Sequence, residues 1–420
     1  MRSASAIRIG MDLAVAARSI EARLAELSAV GQGSDGGVTR LAYTSLEREA
    51  HELFASWAGV DGVSCEVDAA GNSVATYRAG TPYLLVGSHL DTVIDGGRYD
   101  GAAGVIGALE SARAIAETAP LGVRVVAFAG EEGARFGRPN LGSALAAGLI
   151  DADAFGRLRD VNGTTLAAAS AAVGLDPLAT PVWLGPDVAC FFEIHIEQGR
   201  QLEVGAARIG LVDAIAGSVR LSFEIRGRAD HSGATPMRGR YDALAAASEL
   251  VLAVETAGRR YRSTVATVGR MEIAPNNVTT VPGQTTLWVD IRDVDAELQR
   301  VCARTILERA GEIGERRGVT IVGEVISEQA PVVLEAWPRA LAHAECEGRG
   351  LAHRVLPSGA GHDAAIVARR APSAMMFVPC VEGISHSPRE QASPQDIALA
   401  ADLAGTVMLQ ASALLHPNDG

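Results

Sequence analysis

Four apolar runs of strand length in this 420-residue chain each deliver a histidine or a carboxylate near their carboxyl end. Tyr83 to Val86 leads to His89 and Asp91, and Val123 to Ala129 leads to Glu131 and Glu132. Cys190 to Ile196 carries His195, and Ala374 to Cys380 leads to His386. Runs this apolar read as strands buried on both faces, which points to an α/β architecture. In open α/β sheets, ligands gather outside the carboxyl ends of the strands. The four polar ends therefore predict one shared site.

Each of these residues also has a plainer role taken singly. His89 fits a hydrogen-bonded loop histidine, His195 a core histidine, and Glu131-Glu132 an acidic surface turn. Asp100 lies in Asp95-Gly96-Gly97-Arg98-Tyr99-Asp100-Gly101, before a helix predicted over Val105 to Ala116. It has the place of an N-cap, and glycines on both sides also allow its carboxylate to be held close to His89. Together the residues are ligand types suited to a divalent transition metal. Adjacent carboxylates raise each other's pKa. A two-metal site removes that penalty and divides the work, with one glutamate as ligand and the other as general base. Residues i and i+2 of an extended segment share a side, so Asp91 suits an orienting partner for His89.

With 48% hydrophobic and 21% charged residues, the chain can bury a large core, and its length predicts two or three domains. A net charge of −13 argues against a nucleic-acid partner, which would need clustered cations. Cys65, Cys190, Cys302, Cys346 and Cys380 lie far apart with no paired spacing, as expected of reduced thiols in a cytoplasmic protein. Met1 to Met11 lacks the apolar core of an export signal, and no segment reaches ~18 uncharged apolar residues, so no membrane span is expected.

Helical spacing covers Ile20 to Leu27 and Ser45 to Trp57, with a Gly-rich loop from Gly31 to Gly37 between them. Val63 to Val67 and Ser73 to Tyr77 read as a hairpin feeding the His89 strand. Beyond Val212 the rhythm changes: strand Val219 to Arg226, helix Tyr241 to Val254, strands Ser263 to Ile273 and Thr285 to Ile291, helix Ala296 to Arg309, strand Val319 to Ile326. This β-α-β-β-α-β order is that of a split βαβ sandwich able to fold alone. The expected organisation is a two-domain, mixed-sheet α/β metallopeptidase-like catalytic domain (1–211 and 329–420) with an inserted α+β domain (212–328). The insert carries His231 in a turn-rich loop, and Arg292 on a strand face with Trp288 and Asp290. Arg292 fits either a clamp on a substrate carboxylate or a salt bridge with Asp290 or Asp293.

Six blocks in one order now resemble a known family. They are Gly87-Ser88-His89-Leu90-Asp91-Thr92-Val93, Gly96-Gly97-Arg98-Tyr99-Asp100-Gly101, Glu131-Glu132-Gly133-Ala134-Arg135-Phe136, His195-Ile196-Glu197-Gln198-Gly199, Ser358-Gly359-Ala360-Gly361-His362-Asp363-Ala364 and Ile384-Ser385-His386-Ser387-Pro388. The chain resembles the two-metal aminoacylase/carboxypeptidase-like hydrolases, and within them the N-carbamoyl-L-amino acid hydrolase, β-ureidopropionase and allantoate amidohydrolase branch. The resemblance implies one metal on His89, Asp100 and His195 and another on Asp100, Glu132 and His386, with Asp100 bridging. It implies that Asp91 orients His89, and that Glu131 passes a proton from the attacking water to the leaving amine. It further implies a homodimer formed by the inserted lid domains, in which His231 reaches the partner's site. Gln198, Arg292 and the Gly359-Ala360 loop would hold the substrate. The metals expected are zinc or manganese, with cobalt or nickel also accepted by such ligands.

The sequence departs from that branch around the substrate. Thr279 stands where an Asn is usual, although Asn276 and Asn277 adjoin it; Arg200-Gln201 replaces Pro-Val, and Ala144 replaces an Arg. The expected activity is hydrolysis of the linear amide or ureido bond of an N-carbamoyl-L-amino acid, a small carboxylate-bearing substrate. An N-acyl amino acid or allantoate is the alternative substrate, and a non-catalytic binding member of the fold the remote one. Retention of Glu131 favours catalysis, since a mere binder needs no base.

Overall fold

The computed structural model describes residues 9–416. The start of the chain, expected to lack an export signal, lies largely outside the described residues. The chain divides into two compact units, one running to Asp213 and resuming at Leu334, the other Ala214–Val333.

The first unit opens with helices α1 (Leu13–Ala29) and α2 (Ser45–Val60), then strands β1 (Cys65–Val67), β2 (Ser73–Arg78) and β3 (Tyr83–His89). Helix α3 (Ala102–Ile115), strand β4 (Gly122–Phe128) and the short helices α4 (Leu141–Ala146), α5 (Ala152–Arg157) and α6 (Leu166–Ala172) follow. Strand β5 (Val188–Ile196), helix α7 (Gln201–Val204) and strand β6 (Ile209–Ile215) complete this part. The second unit contains β7 (Gly217–Arg226), β8 (Asp230–His231), α8 (Ala243–Arg259), β9 (Val265–Ala274), β10 (Thr280–Val281), β11 (Gln284–Asp293), α9 (Ala296–Arg317), β12 (Thr320–Gln329) and β13 (Val332–Val333). The chain ends with α10 (Ala336–Arg349), β14 (His353–Ser358), α11 (Asp363–Val367), β15 (Ser373–Val378) and α12 (Pro394–Leu415).

Nine strands form a mixed sheet in the order β1-β2-β4-β3-β5-β15-β6-β13, with β14 also against β6. The β1–β2 hairpin pairs with β4, so β4 separates it from the His89 strand it precedes in sequence. The neighbours β4, β3, β5 and β15 are mutually parallel, which brings their carboxyl ends to one edge. All seven residues of β3 are buried, as are those of β15, which is why these strands read as unbroken apolar runs. Close approach in this layer needs glycine at two places: a Cβ on Gly87 of β3 would stand 1.9 Å from Val126 O of the adjacent β4, and one on Gly104 of α3 2.1 Å from Ile194 O of β5.

Helix α12 is apolar and long enough to cross a membrane, but 89% of its most apolar stretch is buried inside the molecule, against α1, α3 and α10. Its uniform hydrophobicity is that of a helix packed on several sides. The five cysteines are free.

In the second unit an antiparallel sheet, ordered β12-β7-β11-β9, lays one face on α8 and α9 around Phe223, Leu250, Leu287 and Ile306. Helix α9 runs past Arg309 to a left-handed Gly318. Gly314 inside it is needed where a Cβ would stand 3.0 Å from Val319 O, so glycine here marks close packing rather than a helix end.

Candidate metal centre

At the shared edge, His89 Nε2 lies 3.5 Å and His195 Nε2 3.1 Å from the same oxygen, Asp100 Oδ1. The other oxygen, Asp100 Oδ2, faces His386 Nε2 at 3.4 Å, and that nitrogen lies 3.3 Å from Glu132 Oε2. Two ligand groups result, His89–Asp100–His195 and Asp100–Glu132–His386, the ligand atoms in each within 4.8 Å of one another.

Backbone geometry sets up this convergence. The expected N-cap role of Asp100 is not realised: Gly101, at φ +64°, takes that position, one residue later, and frees the Asp100 carboxylate to face the imidazoles. A Cβ on Gly101 would stand 2.5 Å from the His89 ring. The backbone N–H groups of Tyr99 and Asp100 donate to Glu390 Oε1 at 2.8 and 3.0 Å, which pins the loop. His386 and Gln198 hold left-handed backbone, φ 54° and 55°, a conformation uncommon outside glycine and frequent at functional sites.

The imidazole tautomers follow from their outer partners. His89 Nδ1 donates to the Asp91 carbonyl oxygen at 3.1 Å, and His195 Nδ1 to that of Ile196 at 2.9 Å. With Nδ1 engaged in this way, Nε2 is the atom that each ring turns toward Asp100 Oδ1 and the nitrogen left to ligate a metal. This is the pattern of metal-ligating histidines, whose second nitrogen is commonly held by a carbonyl or carboxylate. Asp91 acts on His89 mainly through its carbonyl, its Oδ1 lying 3.5 Å from Nδ1. Its carboxylate instead accepts from the backbone N–H groups of Glu131 and Glu132, at 2.8 and 3.1 Å.

The two glutamates differ in surroundings. Glu132 sits in the second ligand group, whereas Glu131 belongs to neither. Glu131 Oε1 accepts from Asn140 Nδ2 at 2.8 Å, and its Oε2 is 3.8 Å from His89 Nε2. Burial holds the Glu131 carboxyl well above the usual carboxylate range, with Asp363, Glu132 and Asp91 adding to the effect against His89. Burial would lower His89, but Glu131, Asp100 and Asp91 outweigh it and hold the ring well above its ordinary value. His386, bonded to Asp100 and Glu132, is pushed up to about 10. Burial would raise Asp100, yet the three histidines hold it well below the usual range. Burial also pushes Asp363 up to about 7. The site thus has more anionic than cationic charge of its own, and the donor set fits two divalent metal ions.

Of the expected substrate residues, Gln198 donates from Nε2 to Asp100 Oδ2 at 2.6 Å, which places it against the ligands themselves. Ala360 N–H donates to Ser358 Oγ at 3.1 Å, and Gly359 is exposed. The others belong to the second unit. His231 pairs with Thr280 on a two-stranded ribbon, and its Nδ1 accepts from the N–H groups of Gly233 and Ala234 at 3.1 and 3.2 Å. Its proton therefore sits on Nε2, on an exposed side chain. Asn277 Oδ1 accepts from Thr279 N and Oγ1 at 3.0 and 2.9 Å, after a left-handed Asn276. Arg292 Nε pairs with Asp290 Oδ2 at 2.8 Å.

Sequence reasoning assigned no role to Asn140, Ser143, Glu193, His362, Asp363, Ser385 or Glu390, all of which adjoin the centre. Ser143 Oγ donates to Asp363, which is also 3.4 Å from Asn140 Nδ2, tying Glu131 to α11. Glu193 accepts from Ser88 Oγ and Ala364 N, each at 2.8 Å. Glu193 had a signal: it lies two residues before His195 in an otherwise apolar strand, hence on the same side.

Comparison with known proteins finds relatives over nearly the whole chain. A family model described as peptidase family M20/M25/M40 matches residues 85–410. An N-carbamoyl-L-amino acid amidohydrolase of Geobacillus stearothermophilus is 38% identical over 389 residues, 91% of this chain and 95% of that protein. An allantoate amidohydrolase of Escherichia coli (strain K12) is 36% identical over 389 residues, 91% of this chain and 94% of that protein. A hydantoinase/carbamoylase family amidase from Burkholderia vietnamiensis superposes with a TM-score of 0.85 at 33% identity, covering 97% of this chain and 98% of that one. With a matched region reaching from the His89 strand into the last helix, and every candidate ligand inside it, the chain belongs to peptidase family M20/M25/M40.

Proposed function

We propose that this chain is a metal-dependent amidohydrolase that cleaves the linear amide or ureido bond of an N-carbamoyl-L-amino acid. The observation that carries the reading is the division of Asp100: one oxygen faces His89 and His195, the other His386, while buried Glu131 stays outside both groups. A structural metal site would have no use for that spare carboxylate. Two divalent ions, zinc or manganese, bound on these groups supply Lewis-acid polarisation of a carbonyl and bring the pKa of water near neutrality.

The chain's own residues do the rest. Glu131 takes the proton of the attacking water on Oε2, because Oε1 is engaged by Asn140, and delivers it to the leaving nitrogen. His231, with its proton on Nε2, donates to the oxyanion that develops at the scissile carbonyl. We assign this donor to the partner chain of a homodimer, with the inserted unit as lid and dimerisation domain. Gln198, Arg292, Asn276, Asn277, Thr279 and the Gly359-Ala360 loop hold the substrate, Arg292 meeting its carboxylate. The cytoplasm, where such metabolites and reduced thiols occur, is the compartment this reading implies.

The test is a panel of N-carbamoyl, N-formyl and N-acyl amino acids with allantoate, assayed after chelation and after addition of Mn²⁺ or Zn²⁺. Metal-restored turnover highest on N-carbamoyl-L-amino acids supports the proposal. Preference for an N-acyl amino acid or allantoate would replace the substrate, and no turnover of any member would leave a binding protein.

A further inference from the structure

Outside the centre, α10 and the start of β14 bring together a second set of metal-ligating side chains: His343, Glu347 and His353. His343 and Glu347 are four residues apart on α10 and so share a face of that helix. Gly350, in the left-handed conformation at φ +65°, turns the chain back, and Leu351 N–H donates to Cys346 O at 2.9 Å. This tight turn returns His353 against the helix.

The histidine tautomers are arranged for a ligand. His353 Nδ1 donates to Leu351 O at 2.8 Å, so its Nε2 carries a lone pair. That lone pair points at His343 Nδ1, 2.8 Å away, and lies 3.6 Å from Glu347 Oε1. Only one proton, on His343 Nδ1, occupies the space between the rings. A tetrahedral zinc with bonds of about 2.0–2.1 Å needs ligand atoms about 3.3 Å apart, so the two ring nitrogens would part by about half an ångström to admit the ion, and all three ligand atoms already lie within 4.8 Å of one another. The carbonyl that orients His353 is the outer partner such a ligand ordinarily has. The His353 side chain is 9% exposed and Glu347 67%, so one wall is fixed and the other is open to solvent.

We infer that His343, His353 and Glu347 form a zinc-class site, separate from the Asp100 centre, in which water completes the coordination and the ion clasps the α10–β14 turn. The fourth position stays open to solvent, and occupancy ties the strand that ends at Ser358 to α10.

The experiment is competitive titration of chelator-stripped, full-length protein with Zn²⁺ against a chromophoric chelator. Wild type should take up one equivalent more than His343→Ala or His353→Ala, whatever number the Asp100 centre holds. Its thermal midpoint should also rise with that last equivalent, and those of the variants should not. Equal stoichiometry in wild type and both variants overturns the assignment. Should the histidine variants fail to fold by circular dichroism, Glu347→Gln decides. Loss of even an outer partner costs about 10–100-fold in metal affinity, so one equivalent should weaken by at least about tenfold. Unchanged affinity at every site overturns the proposal.

Discussion

Replacing Glu131 by Gln isolates the base from the ligands. The introduced amide keeps the shape of the carboxyl group, and Asn140 Nδ2, 2.8 Å from Oε1, fixes which end carries the oxygen. The amide nitrogen then takes the Oε2 position facing His89 and has no lone pair for a proton. General-base assistance is worth about 10²–10⁴-fold, or about 3–5 kcal/mol of barrier, and kcat should fall by that factor. Metal content should stay at the wild-type value, because Glu131 lies in neither ligand group. Glu132→Ala should lose occupancy of the Asp100–Glu132–His386 group as well as activity. Stability gives a second readout. A carboxyl raised by burial contributes stability that is fully present below its unfolded value of 4.5 and is lost as pH climbs. The amide, which resembles the protonated form, should leave the chelated protein at least as stable as wild type at pH 7. Metal analysis, steady-state kinetics and thermal melts on both variants are the assays. Equal metal loss from Glu131→Gln and Glu132→Ala would refute the division of the two glutamates.

Gly101→Ala should cost at least about 1–2 kcal/mol for its positive-φ backbone and displace the His89 ring, so elemental analysis should find reduced metal content; full occupancy would contradict that role for the glycine. His51, buried against Ser73, is held well below its ordinary value of 6.5 by burial and then by Arg48 and Arg40. Its stability contribution is therefore full above pH 6.5 and lost on acidification, and His51→Gln should flatten the decline in unfolding free energy below that pH by up to about 1.4 kcal/mol per pH unit. Parallel slopes in the two proteins would count against it. Co-expression of His231→Ala with Glu131→Gln chains, each inactive alone, should restore about half the wild-type activity per heterodimer, since one site regains both groups; a dead heterodimer means that His231 does not act in trans.

The legible parts of this molecule are those where one residue's neighbours in sequence are its neighbours in space. Strand β3 is buried on both faces, so its apolar run and the polar group at its end could be read directly. The hidden parts depend on long-range pairing. Glu390 holds Asp100 across 290 residues, and Asp363 reaches Asn140 across 223. No local pattern encodes either contact. Sheet order is hidden in the same way: β2 precedes β3 in the chain but pairs with β4, a choice made by packing between distant elements. Asp100 reads as a cap because Asp before a helix usually is one, and only the Gly101 turn shows that the carboxylate faces elsewhere.

The same electrostatics couple metal binding to protons. Burial raises Glu193, and burial with repulsion from neighbouring carboxylates raises Glu131, Glu132 and Asp363, while the acidic surroundings outweigh burial at His89 and His195 and bonding to Asp100 and Glu132 raises His386. Stripped protein at neutral pH must therefore keep protons on this cluster in place of metal charge. Ligation needs neutral imidazole and ionised carboxylate, so metal entry must expel those protons, and affinity must rise with pH. With His386 pushed up to about 10, the dependence should persist through the neutral range rather than fade within about a pH unit above 6.5, the midpoint of an ordinary imidazole. Calorimetric titration of stripped protein with Mn²⁺, repeated in buffers of differing ionisation enthalpy, reads the proton count directly. A heat independent of the buffer at pH 7 would show that the cluster is already deprotonated, and would remove the electrostatic reason for a cation at its centre.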